Sequence, residues 1–221
     1  MADIRACEQC GTLFTPRREH ARFCSAACRV AWNREHADDQ WVRASALDWS
    51  ITAMCETTER LAKAGAWEPT QAYAVISEAV WWVTIVDATL VRYHLEAYES
   101  VLNAGAPAER PLTEGTFAGL RFVRNWMGIH VAPADFIQPG ENRSSSDAGR
   151  ITAWTWKSLP EPALASLPPR GQQWEMTRYQ AYETQLVGHT IGETFGRAAA
   201  FLRQASAKAT SATADRTHQT L

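Results

Sequence analysis

The sequence predicts a mainly α-helical chain: a bundle of four to five helices preceded by a small four-cysteine module. Three observations carry this. Apolar residues recur at helical spacing through most of 38–205. Proline and glycine punctuate those stretches near Gly65 and Pro69, Gly105 and Pro107, Gly128 and Pro133, and again up to Gly171. Four of the five cysteines fall by position 28, as two pairs.

The chain has 221 residues, 46% of them apolar, 21% charged and ten of them Trp. That suffices for one substantial core plus a small satellite module. Net charge is −2, so no global field draws in nucleic acid and any such contact must be local. Thr84 and Asp87 interrupt the apolar run from Ala79 to Leu90, so no membrane span is expected. No basic segment followed by an apolar core opens the chain, so no signal peptide is expected. Paired cysteines of this kind fit a metal in a reducing compartment better than a disulfide scaffold, and cytoplasm is the expected location. There is no internal repeat, glycine-rich phosphate loop or Ser-His-Asp arrangement.

Residues 3–36 form the cysteine module. Cys7-x2-Cys10-Gly11 opens a knuckle, and Phe23-Cys24-Ser25-x2-Cys28-Arg29 follows after a short spacer. Four thiolates suit tetrahedral zinc, and so small a segment has few other means of ordering itself. Cys24 and Cys28 are expected on one face at the start of a helix through Trp32, with Phe14 and Phe23 as a mini-core. The Phe-Cys-Ser-x2-Cys-Arg wording resembles FCS-type treble-clef zinc fingers. A closed shell of four cysteines leaves no open position, so the zinc is structural. Arg17, Arg18, Arg22, Arg29 and Arg34 give a mildly basic surface, offset by Glu8, Glu19 and Glu35. Contact with nucleic acid and contact with protein both remain open.

Residues 38–205 read as the helical body. One helix is expected from Gln40 to about Lys63, with Trp41, Ala44, Leu47, Ile51 and Met54 at helical spacing. Cys55 reads as a small buried hydrophobe. A second runs from Pro69 to about Asn103 with two buried rows, Ile76, Val83, Leu90, Ala97 and Val80, Asp87, His94, Val101. Asp87 and His94 are polar members of a dry face. Either they bond buried Trp, Tyr or Arg neighbours, or Asp87 orients Arg124 or His130 across the bundle. A third helix is expected from an N-cap at Thr113, with Phe117, Leu120, Val123 and Met127 as its ridge.

Arg124 falls beside that ridge, where it needs a carboxylate or a bound phosphate. Six residues on an unbroken helix would point Arg124 and His130 about 120° apart. They converge only if the helix ends first, and Gly128 and Pro133 supply that ending. Residues 131–149 read as a mobile loop able to cover the site. Ile151–Ser158 alternates like a strand with Trp154 and Trp156 on one side, or forms a short helix. A last long helix is expected from Gln172 to about Lys208, with Gly188, Gly192, Gly196 and Ala200 as a stripe for close backbone approach. His189 beside the stripe reads as structural, and the tail 206–221 as disordered.

The frame Arg124-Asn125-x4-His130 at a helix end, within such a bundle, resembles the R-x(4–6)-H signature of HEPN-domain proteins. That resemblance implies a metal-independent endoribonuclease, usually a homodimer with two frames facing one cleft, found in toxin–antitoxin, phage-defence and RNA-processing systems. It assigns His130 to the 2′-OH proton or the leaving 5′-oxygen, Arg124 to the charge on the phosphate and Asn125 to geometry, with a 2′,3′-cyclic phosphate as product. Arg121, one turn before Arg124, adds phosphate contact. RNA as substrate and an antitoxin or regulatory protein are the implied partners. Val131, β-branched directly after His130, departs from the small residue often found there. A different class fits the same residues: a non-catalytic zinc-finger adaptor that dimerises through its bundle. In that reading Arg124 is paired within the bundle, His130 caps its helix, and exposed Trp at Trp154–Trp156 serves binding.

Overall fold

The computed structural model describes residues 4–16, 21–36, 40–62, 69–128, 131, 135–140 and 153–219. The chain is mainly helical and divides into two compact units, Met1–Ala46 and Leu47–Leu221.

In the first unit, strands β1 (Arg5–Ala6) and β2 (Leu13–Phe14) pair antiparallel, Arg5 opposite Phe14 and Ala6 opposite Leu13. Helix α1 (Ala26–His36) follows. The expected Phe14–Phe23 core is corrected: Phe23 packs instead on Trp32, ring centroids 5.6 Å apart, with the Arg22 guanidinium 4.8 Å above the Trp32 ring. Both rings stay half-exposed, and among the described residues of this unit only Cys7 is buried. Among the described side chains of this unit, the two-residue strands and one aromatic pair offer little apolar surface to hold it.

Helix α2 (Gln40–Ala62) crosses the division between the units. Its Leu47, Ser50, Met54 and Thr57 are buried at helical spacing. Thr57 shares its hydroxyl between Ala53 O (2.8 Å) and Glu78, and Cys55 packs half-buried against the core. Helix α3 (Pro69–Tyr93) is the central core element, burying Ile76, Val80, Val83, Val86 and Leu90. By length and composition Thr70–Tyr93 could cross a membrane, contrary to expectation. Here 44% of that apolar window is buried in the protein, and Asp87 in its midst is paired.

The predicted single helix to Asn103 is interrupted at His94 (φ −135°, ψ 40°), after which α4 (Leu95–Leu102) begins. Tyr98 OH donates to Asp87 Oδ1 at 3.0 Å. On a straight helix those residues would lie about 16 Å apart along the axis, beyond side-chain reach. The bend at His94 makes the bond possible.

Helix α5 (Glu109–Trp126) starts a turn before the expected cap at Thr113, because Pro111 is tolerated in a first turn. It buries Phe117, Leu120, Phe122, Val123 and Trp126, while Met127 is half-buried. Gly119 admits the neighbouring helix: a Cβ there would stand 3.0 Å from Tyr182 Cα and 2.8 Å from Leu186 Cδ1. The expected stop after α5 is present. Gly128 takes φ +79°, and the chain returns so that Val131 N–H donates to Trp126 O (3.1 Å) and Gly128 N–H to Val131 O (3.0 Å).

Strands β3 (Ile137–Pro139) and β4 (Trp154–Trp156) pair antiparallel, Ile137 opposite Trp156. The strand reading of Trp154–Trp156 holds, but both rings are buried, which removes the argument for an exposed Trp segment there. Trp156 Nε1 donates to Thr194 Oγ1 at 3.0 Å. Most of the expected 131–149 loop lies outside the described residues.

The predicted last helix is two, α6 (Pro169–Gln185) and α7 (Ile191–Gln219). Gly188 at φ +79° and a capping box separate them. Thr190 Oγ1 accepts from Glu193 N–H (3.1 Å), and Glu193 Oε2 accepts from the Thr190 hydroxyl (2.9 Å). Replacing Thr190 by Ala is expected to cost about 1 kcal/mol in urea unfolding. Thr190 also holds the Glu193 carboxyl below its ordinary range. Its contribution is thus present above the unfolded carboxyl range and fades as pH falls through the folded one.

Helix α7 packs on α3, α4 and α5 and buries Phe195, Leu202, Ala205, Ser206 and Ala209. The expected disordered tail from 206 is therefore corrected: the apolar row continues to Ala209 and the helix to Gln219. A Cβ on Gly192 or Gly196 meets nothing within 4 Å, so this stripe admits no neighbour among the described residues of the chain. His189 is exposed.

Candidate functional site

Two constellations concentrate the chemistry, one in each unit. In the first, Gly11 N–H donates to Cys7 O at 2.9 Å and Cys7 N–H to Thr12 O at 3.0 Å, closing the knuckle. Ser25 is the N-cap of α1, its Oγ accepting from Cys28 N–H at 3.1 Å. Cys24 thus precedes the helix and only Cys28 lies in its first turn, a small correction to the expected shared face. The Sγ atoms of Cys7, Cys10, Cys24 and Cys28 all lie within 4.8 Å of one another. Cys10 and Cys24 are 3.7 Å apart, Cys24 and Cys28 3.5 Å. A tetrahedral ion with bonds of about 2.3 Å to sulfur separates its ligands by about 3.8 Å, so this set fits a metal ion.

The thiols form no disulfide, and they are electrostatically unequal. Burial opposes the Cys7 thiolate, but backbone N–H groups of Cys24, Cys10 and Gln9 outweigh it and bring the pKa down to about 6. Cys24 is pushed up to about 12 by the thiols of Cys28, Cys10 and Cys7. Arg22 is occupied by Glu8 (Nε to Oε1 2.7 Å). Arg17, Arg18 and Glu19 lie outside the described residues.

The second constellation lies where α5 ends against α6. Asp87 of α3 is fully buried and accepts from Tyr98 and from the Arg121 guanidinium. Burial raises its pKa, opposed by the Arg121 charge and the Tyr98 bond. Asp87 therefore serves Arg121 and Tyr98 directly, the first of the two expectations for it, and reaches Arg124 only as a more distant charge.

Arg124 is half-buried, yet no carboxylate among the described residues lies within ion-pair distance of it. Its Nε and Nη2 donate to Asn125 Oδ1 at 3.3 and 3.1 Å. Asn125 Nδ2 donates to Glu175 Oε1 at 2.9 Å, which fixes the amide so that its oxygen faces Arg124. Glu175, itself buried, also accepts from Trp126 Nε1 (3.1 Å) and from Arg178. Burial lowers the Arg124 pKa, and the Arg178 and Arg121 charges lower it further, against Glu175 and Asp87. Among the described residues three guanidiniums thus meet two carboxylates, and the positive charge left over is that of Arg124. Such a group gains from any anion that reaches it.

The structure brings together Asp87, Arg121, Arg124 and Asn125. His94 sits half-buried at the α3–α4 break, seven residues beyond Asp87. His130 lies outside the described residues. Glu175, Arg178 and Tyr98 were missed in the sequence. Glu175 and Arg178 carried one faint signal, opposite charges three apart on a helix. A cavity of about 410 Å³ lined by Leu102, Glu109, Leu112, Arg197 and Phe201 contains none of these residues. No protein-family model, curated protein or solved structure matches the chain.

Proposed function

We propose that the chain is a HEPN-like endoribonuclease whose phosphate-holding group is Arg124, with a structural zinc module at its N-terminus. The observation that carries this is the half-buried Arg124 guanidinium, bonded among the described residues to a neutral amide and crowded by two arginines already paired. A phosphodiester oxygen supplies the missing negative charge. The 2′-oxygen attacks phosphorus as its proton is removed, the bond to the 5′-oxygen breaks, and that oxygen takes up a proton. His130 handles one of those proton transfers and Arg124 stabilises the phosphate charge. Asn125, locked by Glu175, holds Arg124 in place. Zinc on Cys7, Cys10, Cys24 and Cys28 orders the module and takes no part in the step, since four thiolates leave it no open position. Cytoplasmic location, a homodimer and a toxin or phage-defence role with a cognate antitoxin or regulatory protein belong to the same proposal.

The test is incubation with mixed RNA, in EDTA and in a milder chelator that spares thiolate-bound zinc. Arg124→Ala is expected to slow cleavage about 10²- to 10³-fold and His130→Ala about 10²- to 10⁴-fold, with 2′,3′-cyclic phosphate ends in the parent reaction. A parent without activity, or a His130→Ala chain as fast as the parent, would overturn the proposal. A second reading, a non-catalytic adaptor that dimerises and binds nucleic acid or protein, is favoured by Trp49 and Trp81, which are 66% and 56% exposed. It predicts identical inertness of parent and variants together with self-association in sedimentation.

A further inference from the structure

Trp174 is 58% exposed in the first half of α6, and the Arg170 guanidinium lies 5.7 Å from its ring centroid. Arg170, Trp174 and Arg178 are four residues apart in turn, which places them on one line about 12 Å long on the helix surface. Arg178 is anchored through Glu175, which also accepts from the Asn125 amide beside Arg124. The line therefore runs from an arginine-flanked aromatic ring into the surplus positive charge at the end of α5. The residues around Trp174 on that exposed face are polar, Gln173 and Thr177.

We infer that this face of α6 is a single-stranded RNA site, in which an unpaired base stacks on Trp174 and Arg170 holds the adjoining phosphate. It rests on the reading of the Arg124 cluster as a phosphate site and extends it to the strand leading there. A flat π-face between cations suits an unpaired base, whose own face is open, and reads no base edge. In a duplex those faces are covered by stacking.

The test uses the full chain carrying His130→Ala, so that binding is measured without cleavage. Anisotropy of a fluorescein-labelled oligoadenylate is followed at several salt concentrations, beside an RNA duplex of the same length. Trp174→Ala is expected to weaken single-strand binding about 5- to 150-fold, Trp174→Phe much less, and Trp174→Leu nearly as much as Ala. Arg170→Gln is expected to flatten the logarithmic salt slope by about 0.7. Duplex binding should not depend on Trp174. No single-strand binding at low salt, unchanged affinity in Trp174→Ala, a Leu variant as good as Trp, or an equal loss for the duplex would each overturn the site. Cleavage is scored separately on the unmutated chain. Trp174-dependent binding without cleavage removes only the nuclease, and cleavage with Trp174-independent binding removes only this site.

Discussion

Withholding the metal ion that the four cysteines of the N-terminal unit can hold, or replacing Cys24 by Ser, is expected to leave that unit unfolded. Its strands are two residues long, its aromatic pair is half-exposed, and Cys7 is the one buried side chain among its described residues. Hydrophobic burial therefore contributes little, and metal binding in a site of this kind is worth about 10–16 kcal/mol of apparent free energy that is also folding free energy. The direct readout is one metal ion released per chain on titration of the thiols, with loss of dispersed amide resonances for residues 4–16 and 21–36. A Cys24→Ser chain that retains a full equivalent of metal and the same spectrum would show that the thiols are not the ligands. Because thiolates are the binding form, acid should favour release.

The largest expected effect in the helical unit is that of Asp87→Ala. Asp87 has no exposed surface, and its carboxylate answers both Tyr98 OH and the Arg121 guanidinium. Truncation leaves a charged and a neutral donor without their acceptor, and breaking a buried pair in this way costs about 3–5 kcal/mol. Urea midpoints measure it directly. Asp87→Asn should cost less, because an amide oxygen still accepts from Tyr98 and burial already favours the uncharged form. The pH sign follows from that raised pKa. The folded protein holds the Asp87 proton more readily than the unfolded chain does, so mild acid does not remove stability through this residue. Glu78, kept below the ordinary carboxyl range by Arg60, behaves oppositely and loses its contribution as pH falls through its folded range. Asp87→Ala should also weaken phosphate-dependent chemistry less than Arg124→Ala, since its charge reaches Arg124 only at a distance.

Much of this was legible in the sequence, for physical reasons. The four cysteines announce themselves by spacing, and the rows Ile76–Val83–Leu90 and Val80–Asp87 are buried as their period requires. Gly128 ends α5 because its φ of +79° is open to glycine and costly for other residues. The bend at His94 was invisible: neither glycine nor proline stands there, and its purpose, bringing Tyr98 to Asp87, is a tertiary one. The break between α6 and α7 did carry a signal, the Thr190-x2-Glu193 box, masked by reading Gly188 as part of a small-residue stripe. Glu175 could not be singled out. It lies in a polar helix with no clear apolar face, and its burial depends on Gly119 admitting α6 against α5.

Helix α7 has one more implication, for the chain on the ribosome. Helix α7 packs on α3, α4 and α5, and its buried Phe195, Leu202 and Ala209 are synthesised after all three. Until they emerge, the nascent polypeptide carries an uncovered greasy helix of nearly membrane-spanning character. Synthesis that stalls before α7 should therefore yield a product bound by trigger-type chaperones or cleared by proteases rather than a partly active domain.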